Sequence, residues 1–128
     1  MYQLRVEADF SAAHFLSAYN GKCERLHGHN YRVRLWIESE TLNEGGMAAD
    51  FALLKMLLKE TLAPLDHSSL NELSEFDGNP SAERIARWIY EALAARFAAQ
   101  GLAPALIAAV DVFESPSSMA RYLPPERR

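Results

Sequence analysis

Residues 23–37 read CERLHGHNYRVRLWI, and the rest of the chain can be understood from this stretch. From Tyr31 onward, apolar residues alternate with polar ones, mainly arginines, until about residue 40, which is typical of a half-buried β-strand. If the strand includes the His-Gly-His triplet, His27 and His29 point to the same face, about 6–7 Å apart. Two imidazoles in that arrangement can bind one ion.

The N-terminal segment predicts a matching strand. From Tyr2 to Phe10 apolar and polar residues alternate, and the same parity continues to His14. Two antiparallel strands joined by residues 16–26 would direct His14, His27 and His29 at one point. Three neutral imidazoles suit Zn²⁺, and three protein ligands leave a fourth position for water or substrate. An isolated histidine is more often a core or surface residue, but the shared parity of all three favours a catalytic metal site.

The remaining elements follow from caps and periodicity. Asp50 predicts the N-cap of a helix that ends before Pro64, and Asn79-Pro80 predicts the start of a second helix that ends at Gly101. Alternation resumes over 106–114, and a short last strand follows over 119–123. The order β-β-α-α-β-β predicts an α+β fold with a four-stranded, largely antiparallel sheet and two helices on one face. Because one face and the sheet edges then stay open, we expect a homo-oligomer.

Length and composition exclude several classes of protein. The 128 residues predict a single domain, 1–128, and 13 Lys+Arg against 17 Asp+Glu give a net charge of −4. That balance gives no reason to expect a nucleic-acid partner. The single cysteine cannot form an internal disulfide, and no apolar run approaches the ~20 residues of a membrane helix. We therefore expect a cytoplasmic protein without a membrane partner.

Three further features carry candidate chemistry. Cys23 lies in a polar loop, where a thiol is more useful as a base than as a buried residue, although a fourth metal ligand is the alternative. Asp66-His67 has the form of a carboxylate–imidazole relay, and an ordinary surface pair is equally compatible with the sequence. Glu114 falls on the core-facing parity of its strand, where an unpaired charge is costly, so we expect a partner for it.

Taken together, these motifs resemble those of the 6-pyruvoyl-tetrahydropterin synthase superfamily over nearly the whole chain. They are FSAAH at 10–14, CERLHGHNY at 23–31, DF at 50–51, LDH at 65–67, NPSAE at 79–83 and ESPS at 114–117. The three residues between Cys23 and His27 are similar to the interval in the bacterial carboxy-forming group. One mild departure is Ser81-Ala82, where relatives often carry threonine.

The resemblance implies the tunnelling fold, in which trimers form a barrel and pair as hexamers, with active sites between subunits. The implied zinc ligands are His14, His27 and His29. The implied catalytic residues are Cys23, as base, and the Asp66–His67 pair. The implied substrate-binding residues are Glu114, which would anchor the amino-pyrimidinone edge of a pterin, and Ser81 and Glu83, which would line the pocket.

The implied activity is that of a zinc-dependent lyase. It would convert 7,8-dihydroneopterin triphosphate to 6-carboxy-5,6,7,8-tetrahydropterin, with release of acetaldehyde and triphosphate, in queuosine or deazapurine biosynthesis. Two alternatives stay open: a 6-pyruvoyl-tetrahydropterin synthase, which eliminates triphosphate without cutting the side chain, and a non-catalytic zinc- or pterin-binding protein. The combination of Cys23, Asp66 and His67 argues against the second alternative, because simple binding needs none of them.

Overall fold

A long hairpin forms the centre of the fold. The computed structural model describes residues 1–17 and 24–128, so Lys22 and Cys23 lie outside the described residues. Strand β1 (Tyr2–His14) pairs antiparallel with β2 (His27–Ser39) along their whole length, from Tyr2 opposite Ser39 to His14 opposite His27. The predicted span of β1 from Tyr2 to His14 is confirmed, and β2 includes the whole His-Gly-His triplet.

Two helices follow, and the second begins later than predicted. Helix α1 (Phe51–Leu62) has the predicted cap, since the Asp50 carboxylate accepts the Ala52 backbone N–H at 2.9 Å. Helix α2 (Ala82–Ala99) is capped by Ser81 rather than by Asn79. The Asn79 side chain instead accepts the Ser17 backbone N–H at 2.6 Å, so a long-range contact takes the oxygen that the predicted cap required.

Within residues 1–17 and 24–128 the sheet has five strands rather than the predicted four. Strand β4 (Ile107–Ser115) and strand β5 (Ser118–Tyr122) extend the hairpin on the β2 side in antiparallel fashion. The additional strand β3 (Ser68–Ser69) pairs parallel with β1, which gives the order β3-β1-β2-β4-β5. Two residues are too few to produce a sequence pattern, and this is why β3 was not predicted.

The hydrophobic core lies between the helices and one face of the sheet. Alternate residues of β1 and β2 are buried there, and they pack against the apolar stripes of α1 and α2. Fully burying one leucine- or phenylalanine-sized side chain contributes roughly 1.5–3 kcal/mol, so this face holds most of the stabilising contacts. The core-facing side chains include Val6, Phe10, Tyr31, Val33, Leu54, Leu58, Ile85 and Ile89. The predicted placement of both helices on one face is confirmed.

Strand β4 keeps the predicted parity at Val110 and Val112 and departs from it only at its start. An irregularity at Trp36 and Ile37 of β2 pairs Ile37 with Ile107, so that Ile107 joins the core cluster while Leu106 packs against its margin. On the opposite face, Asp111 is 2% exposed; it accepts two hydrogen bonds from the Arg121 guanidinium and one from the Trp36 indole N–H. The fully buried and paired carboxylate of this strand is therefore Asp111, whereas Glu114 is only half-buried.

The face of the sheet away from the helices is charged. Arg32 forms ion pairs with Glu7 and Asp9 there, and Arg34 forms one with Glu7 at 2.7 Å. Pairs exposed to this degree contribute little to stability. Within the described part of the chain, neither helix has the length and apolar character needed to cross a membrane.

Candidate active site

Three histidines meet at one end of the central hairpin. His14 is opposite His27 and Ala12 is opposite His29 in the β1–β2 register, so all three side chains leave the sheet on the helix-covered face. Their ring centroids lie 4.7–5.0 Å apart, and one nitrogen from each ring lies within 4.8 Å of the others. The convergence expected from strand parity is present in the structure.

In two of the rings, the Nδ1 atom is hydrogen-bonded to a backbone carbonyl. His14 Nδ1 lies 2.8 Å from the Pro80 oxygen, and His27 Nδ1 lies 2.8 Å from the Arg25 oxygen. Because a carbonyl oxygen only accepts, each Nδ1 must carry the proton, which leaves a lone pair on each Nε2 of a neutral ring. Carbonyl partners of this kind are usual behind metal-binding histidines.

The free nitrogens fit a shared cation. The Nε2 atoms of His14 and His27 are 3.1 Å apart, and two lone pairs at that distance repel unless a positive charge lies between them. Two nitrogens bound tetrahedrally at 2.0–2.1 Å from zinc would be separated by about 3.3–3.4 Å, which is similar. His29 Nε2 is buried and has no hydrogen-bond partner among residues 1–17 and 24–128. The donor set therefore suits a metal ion of zinc type.

The third ring is kept neutral by its surroundings. Burial is the main cause that lowers the pKa of His29, and the neighbouring His14 and His27 lower it further, while Glu114 acts in the opposite direction. A histidine binds metal only when it is deprotonated, so the lowered pKa favours the ligand form.

Glu114 lies beside the histidines at the end of β4. Its two oxygens are 3.9 Å from His14 Nε2 and 4.0 Å from His29 Nε2, which is beyond hydrogen-bonding distance. It shares a cavity of about 480 Å³ with Ser81 and Glu83 at the start of α2. The structure thus brings together the three residues expected to bind substrate, beside the histidine cluster.

Asp66 and His67 form a contact despite being adjacent in sequence. His67 has a left-handed backbone conformation, with φ of 57°, and its Nδ1 lies 3.0 Å from an Asp66 oxygen. Ser11 of β1 fixes the pair, since its N–H donates to Asp66 Oδ1 and its carbonyl accepts from the His67 N–H. The Ser11 N–H is the main cause that lowers the pKa of Asp66, and His67 lowers it further.

The Asp66–His67 pair lies at the edge of β1. His67 and His29 line one shallow cavity of about 330 Å³ there, together with Ser11, Ala13 and Asn30, which alternate with the three histidines and so belong to the opposite face of the strands. The expected third catalytic residue, Cys23, lies outside the described residues. Beside it in sequence, Glu24 closes the loop by two contacts with Leu16: its N–H donates to the Leu16 carbonyl, and its carboxylate accepts the Leu16 N–H.

Sequence reasoning missed three contributors to this region. The carbonyls of Arg25 and Pro80 orient two histidines, and a backbone carbonyl has no signature in sequence. The alternation predicts Tyr31 only as an apolar strand residue, yet it carries a buried hydroxyl, and its ring meets the His29 ring edge-on. Burial raises the pKa of Tyr31, with further contributions from Glu114 and Glu24.

Comparison with known proteins places the chain in a family. The model of the 6-pyruvoyl tetrahydropterin synthase family matches residues 3–125. The chain belongs to the 6-pyruvoyl tetrahydropterin synthase family. A relative from Synechocystis, named 6-carboxy-5,6,7,8-tetrahydropterin synthase, is 38% identical over 98% of this chain and 95% of its own. A Bacillus subtilis relative of the same name is 30% identical over 96% of this chain and 86% of its own.

The fold of this tetrahydropterin synthase family member agrees with solved structures. The 6-pyruvoyl tetrahydropterin synthase of Caenorhabditis elegans superposes with a TM-score of 0.80 at 25% identity, covering 96% of this chain and 95% of that one. The α+β fold expected from the resemblance is confirmed. The chain is accordingly an enzyme of pterin metabolism, of the lyase type.

Proposed function

We propose that the chain converts 7,8-dihydroneopterin triphosphate to 6-carboxy-5,6,7,8-tetrahydropterin, releasing acetaldehyde and triphosphate, as a step of queuosine or deazapurine biosynthesis. The observation that carries the proposal is the trio of histidine nitrogens beside Glu114, on a chain whose relatives at 30–38% identity are named for the carboxy product. The ion is proposed to be zinc, because three neutral imidazoles in a compact cluster match its ligand preference.

His14, His27 and His29 hold the ion in this proposal, with the Pro80 and Arg25 carbonyls fixing two of the rings. When bound, the ion supplies Lewis acidity to the two side-chain hydroxyls of the substrate, which makes the attached carbons easier to deprotonate. The protein's contribution is to orient two of the rings, to lower the pKa of His29 and to leave access from the adjoining cavity.

Protons are moved by Cys23 and by the Asp66–His67 pair. The Cys23 thiolate is proposed as a base from its chemistry and its place in the motif. His67 acts on the other side of the substrate, and Asp66 fixes its tautomer by accepting from Nδ1–H, which leaves Nε2 free to take or give a proton. Proton movement expels triphosphate and reduces the ring internally, and one water molecule then adds to the side-chain carbonyl that becomes the carboxyl group, so that the bond to the acetaldehyde fragment breaks. No nicotinamide is required, because the redox change occurs within the substrate.

Glu114 anchors the pterin. A carboxylate accepts hydrogen bonds only, so it suits the adjacent N–H groups of an amino-pyrimidinone edge. Ser81 and Glu83 line the same cavity, although the Ser81 hydroxyl already accepts the Arg84 N–H as a helix cap. Their proposed contribution is therefore the shape of the pocket and, for Glu83, its charge.

The competing function is 6-pyruvoyl tetrahydropterin synthesis, which the name of the C. elegans structure favours. Both reactions begin with dihydroneopterin triphosphate and release triphosphate, but only the carboxy-forming reaction yields acetaldehyde. We expect the zinc-loaded protein to release acetaldehyde and triphosphate in equal amounts, measured by coupled alcohol dehydrogenase and by phosphate analysis. Triphosphate without acetaldehyde would assign the pyruvoyl reaction instead.

The same assay tests the proposed base. Cys23→Ala is expected to abolish turnover while zinc content stays at the wild-type level. Cys23→Ser is the matched control for size, and it too is expected to be inactive because a hydroxyl is a far weaker acid than a thiol. Robust activity in Cys23→Ala would remove Cys23 from the mechanism.

A further inference from the structure

Tyr31 and Glu114 are neighbours across the sheet. Tyr31 is opposite Phe10 in the β1–β2 register, and the two rings are stacked with centroids 4.6 Å apart. The last pair of the β2–β4 ladder is Arg32 with Phe113, so the next residues along these two strands are Tyr31 and Glu114. Side chains opposite one another have Cβ atoms about 5 Å apart. Phe10, Tyr31 and Glu114 therefore form one row on the helix-covered face.

This row also adjoins the histidines. The Tyr31 ring meets the His29 ring edge-on, with centroids 5.3 Å apart, and the His14 ring at 6.0 Å. Tyr31 is 0% exposed, so its hydroxyl is surrounded by protein atoms on every side. The hydroxyl is thus a buried polar group in the row of side chains between the core and the candidate active site.

Two groups in this row are a hydrogen-bond donor and a hydrogen-bond acceptor. Within residues 1–17 and 24–128, the Tyr31 hydroxyl has no hydrogen-bond partner, and it is a donor. The Glu114 carboxylate is an acceptor, and its contacts in the same residues are the two histidine nitrogens at 3.9 and 4.0 Å. Buried polar groups in folded proteins are almost always paired. Glu114 has rotatable methylene groups, so its carboxylate can reorient, and its charge already acts on Tyr31, whose pKa it helps to raise.

We infer that Tyr31 is the positioning residue for Glu114: its hydroxyl donates a hydrogen bond to the carboxylate in the metal-loaded protein and fixes the orientation in which the carboxylate receives the pterin. The Nε2 atoms of His14 and His27 carry lone pairs, so neither can donate a hydrogen bond to Glu114. A carboxylate offers about four lone-pair sites, so one bond from Tyr31 leaves the others for the N–H edge of the ligand. The inference rests on the proposed function for the identity of that ligand.

The alternative is that the Tyr31 hydroxyl is an unpaired group that the fold tolerates. A buried hydroxyl without a partner costs free energy, so its removal would stabilise the protein. A hydroxyl bonded to Glu114 would have the opposite effect, because removal would leave the carboxylate without its donor. The two possibilities therefore predict changes of opposite sign for Tyr31→Phe.

The test is a double-mutant cycle with Tyr31→Phe, Glu114→Ala and the double variant, all loaded with zinc. Two quantities are measured: the free energy of unfolding in urea, and the affinity for 7,8-dihydroneopterin, titrated to millimolar concentration. We expect Tyr31→Phe to weaken dihydroneopterin binding roughly tenfold or more, as for loss of a hydrogen bond to a charged group. In the Glu114→Ala background the same change should alter neither quantity, and zinc content should be equal in all four proteins.

Tyr90→Phe is the control, because it removes a phenol hydroxyl from α2, outside the site, where the ring packs on Tyr122. It should leave dihydroneopterin affinity unchanged. An equal effect of Tyr31→Phe in both backgrounds, or a Tyr31→Phe protein that is more stable and binds as tightly as the wild type, would overturn the inference. If the wild type does not bind dihydroneopterin, the proposed function fails, and the unfolding cycle alone then decides: coupled free energies support the Tyr31–Glu114 bond and additive ones reject it.

Discussion

At the scale of single residues, His27 is the most direct test of the metal site. Its Nε2 faces that of His14, and its Nδ1 is committed to the Arg25 carbonyl. Loss of a residue that only supports a metal ligand weakens metal binding by up to about 100-fold. We expect His27→Ala, which removes a ligand itself, to weaken zinc binding by more than that. Zinc per chain, measured by mass spectrometry after dialysis, should fall close to zero.

His67→Ala is the matched control for that experiment. This histidine is exposed and contacts Asp66 rather than the three-histidine cluster. Its removal should leave zinc content at the wild-type level while turnover falls. Full zinc content in His27→Ala would contradict the assignment of His27 as a ligand.

Asp66 gives a prediction that depends on pH. The Ser11 N–H and His67 lower the pKa of Asp66 below its ordinary value of 3.8, so the ionised form is favoured in the folded protein. The resulting stability is fully present above that value and is lost as the pH falls through the lowered pKa. Asp66→Asn keeps an acceptor oxygen but removes the charge. We expect this variant to be less stable than the wild type at pH 6, with the difference shrinking steadily below pH 3.8.

Urea unfolding at a series of pH values measures the effect. Glu44→Gln is the control, since Glu44 is exposed and takes part in no hydrogen bond or ion pair within the described residues. A difference between Asp66→Asn and the wild type that stays constant down to the lowest pH would show that the charge does not carry the interaction.

Residue types and strand parity predict which histidines converge in this site, but not the backbone contacts and conformations that position the side chains. The three histidines follow from alternation in two strands, and strand geometry is regular enough to carry that inference over thirteen residues. The Asp66–His67 contact requires a left-handed backbone at His67, and nothing in the sequence around it distinguishes that conformation from an ordinary helix end. The carbonyl partners of His14 and His27 belong to the backbone, so they are invisible until the chain is folded.

At the scale of elements, the Asp50 cap of α1 gives a direct stability prediction. The carboxylate accepts the Ala52 N–H, one of the donors that the first turn leaves unpaired. Asp50→Ala is expected to reduce the free energy of unfolding by about 1 kcal/mol. Glu44→Ala, which removes an exposed carboxylate outside the helix, should change it by less than about 0.5 kcal/mol. Equal effects of the two substitutions would mean that the cap is not stabilising.

The two helix starts show why the predicted N-cap is correct for α1 and wrong for α2. At α1, Asp50 has no competing long-range partner among the residues that the structure describes, and the local rule holds. At α2, Asn79, Pro80 and Ser81 all have the chemistry of a helix start, and the choice depends on contacts with the segment after β1. Asn79 binds the Ser17 N–H and Pro80 binds His14, so Ser81 becomes the cap. Tertiary contacts decided a boundary that local propensity left ambiguous.

At the scale of the whole molecule, the sheet is incompletely covered. Both helices lie on one face, and the outer edge of β5 has no strand neighbour within the described part of the chain. Open edges favour pairing with another chain. We expect a homo-oligomer of three or six chains, with a mass of about 43 or 86 kDa, three or six times the 14.4 kDa of one chain. Light scattering on the zinc-loaded protein measures this, and a 14.4 kDa species at micromolar concentration would contradict it.

All three histidines of the cluster belong to one hairpin, between residues 14 and 29. During synthesis on the ribosome, these side chains emerge before either helix exists. An isolated two-stranded hairpin is marginal in water, and a bound ion adds its affinity to the stability of whatever segment it ties together. If the cluster holds the proposed ion, we expect starvation for that ion to reduce the yield of native protein as well as its specific activity.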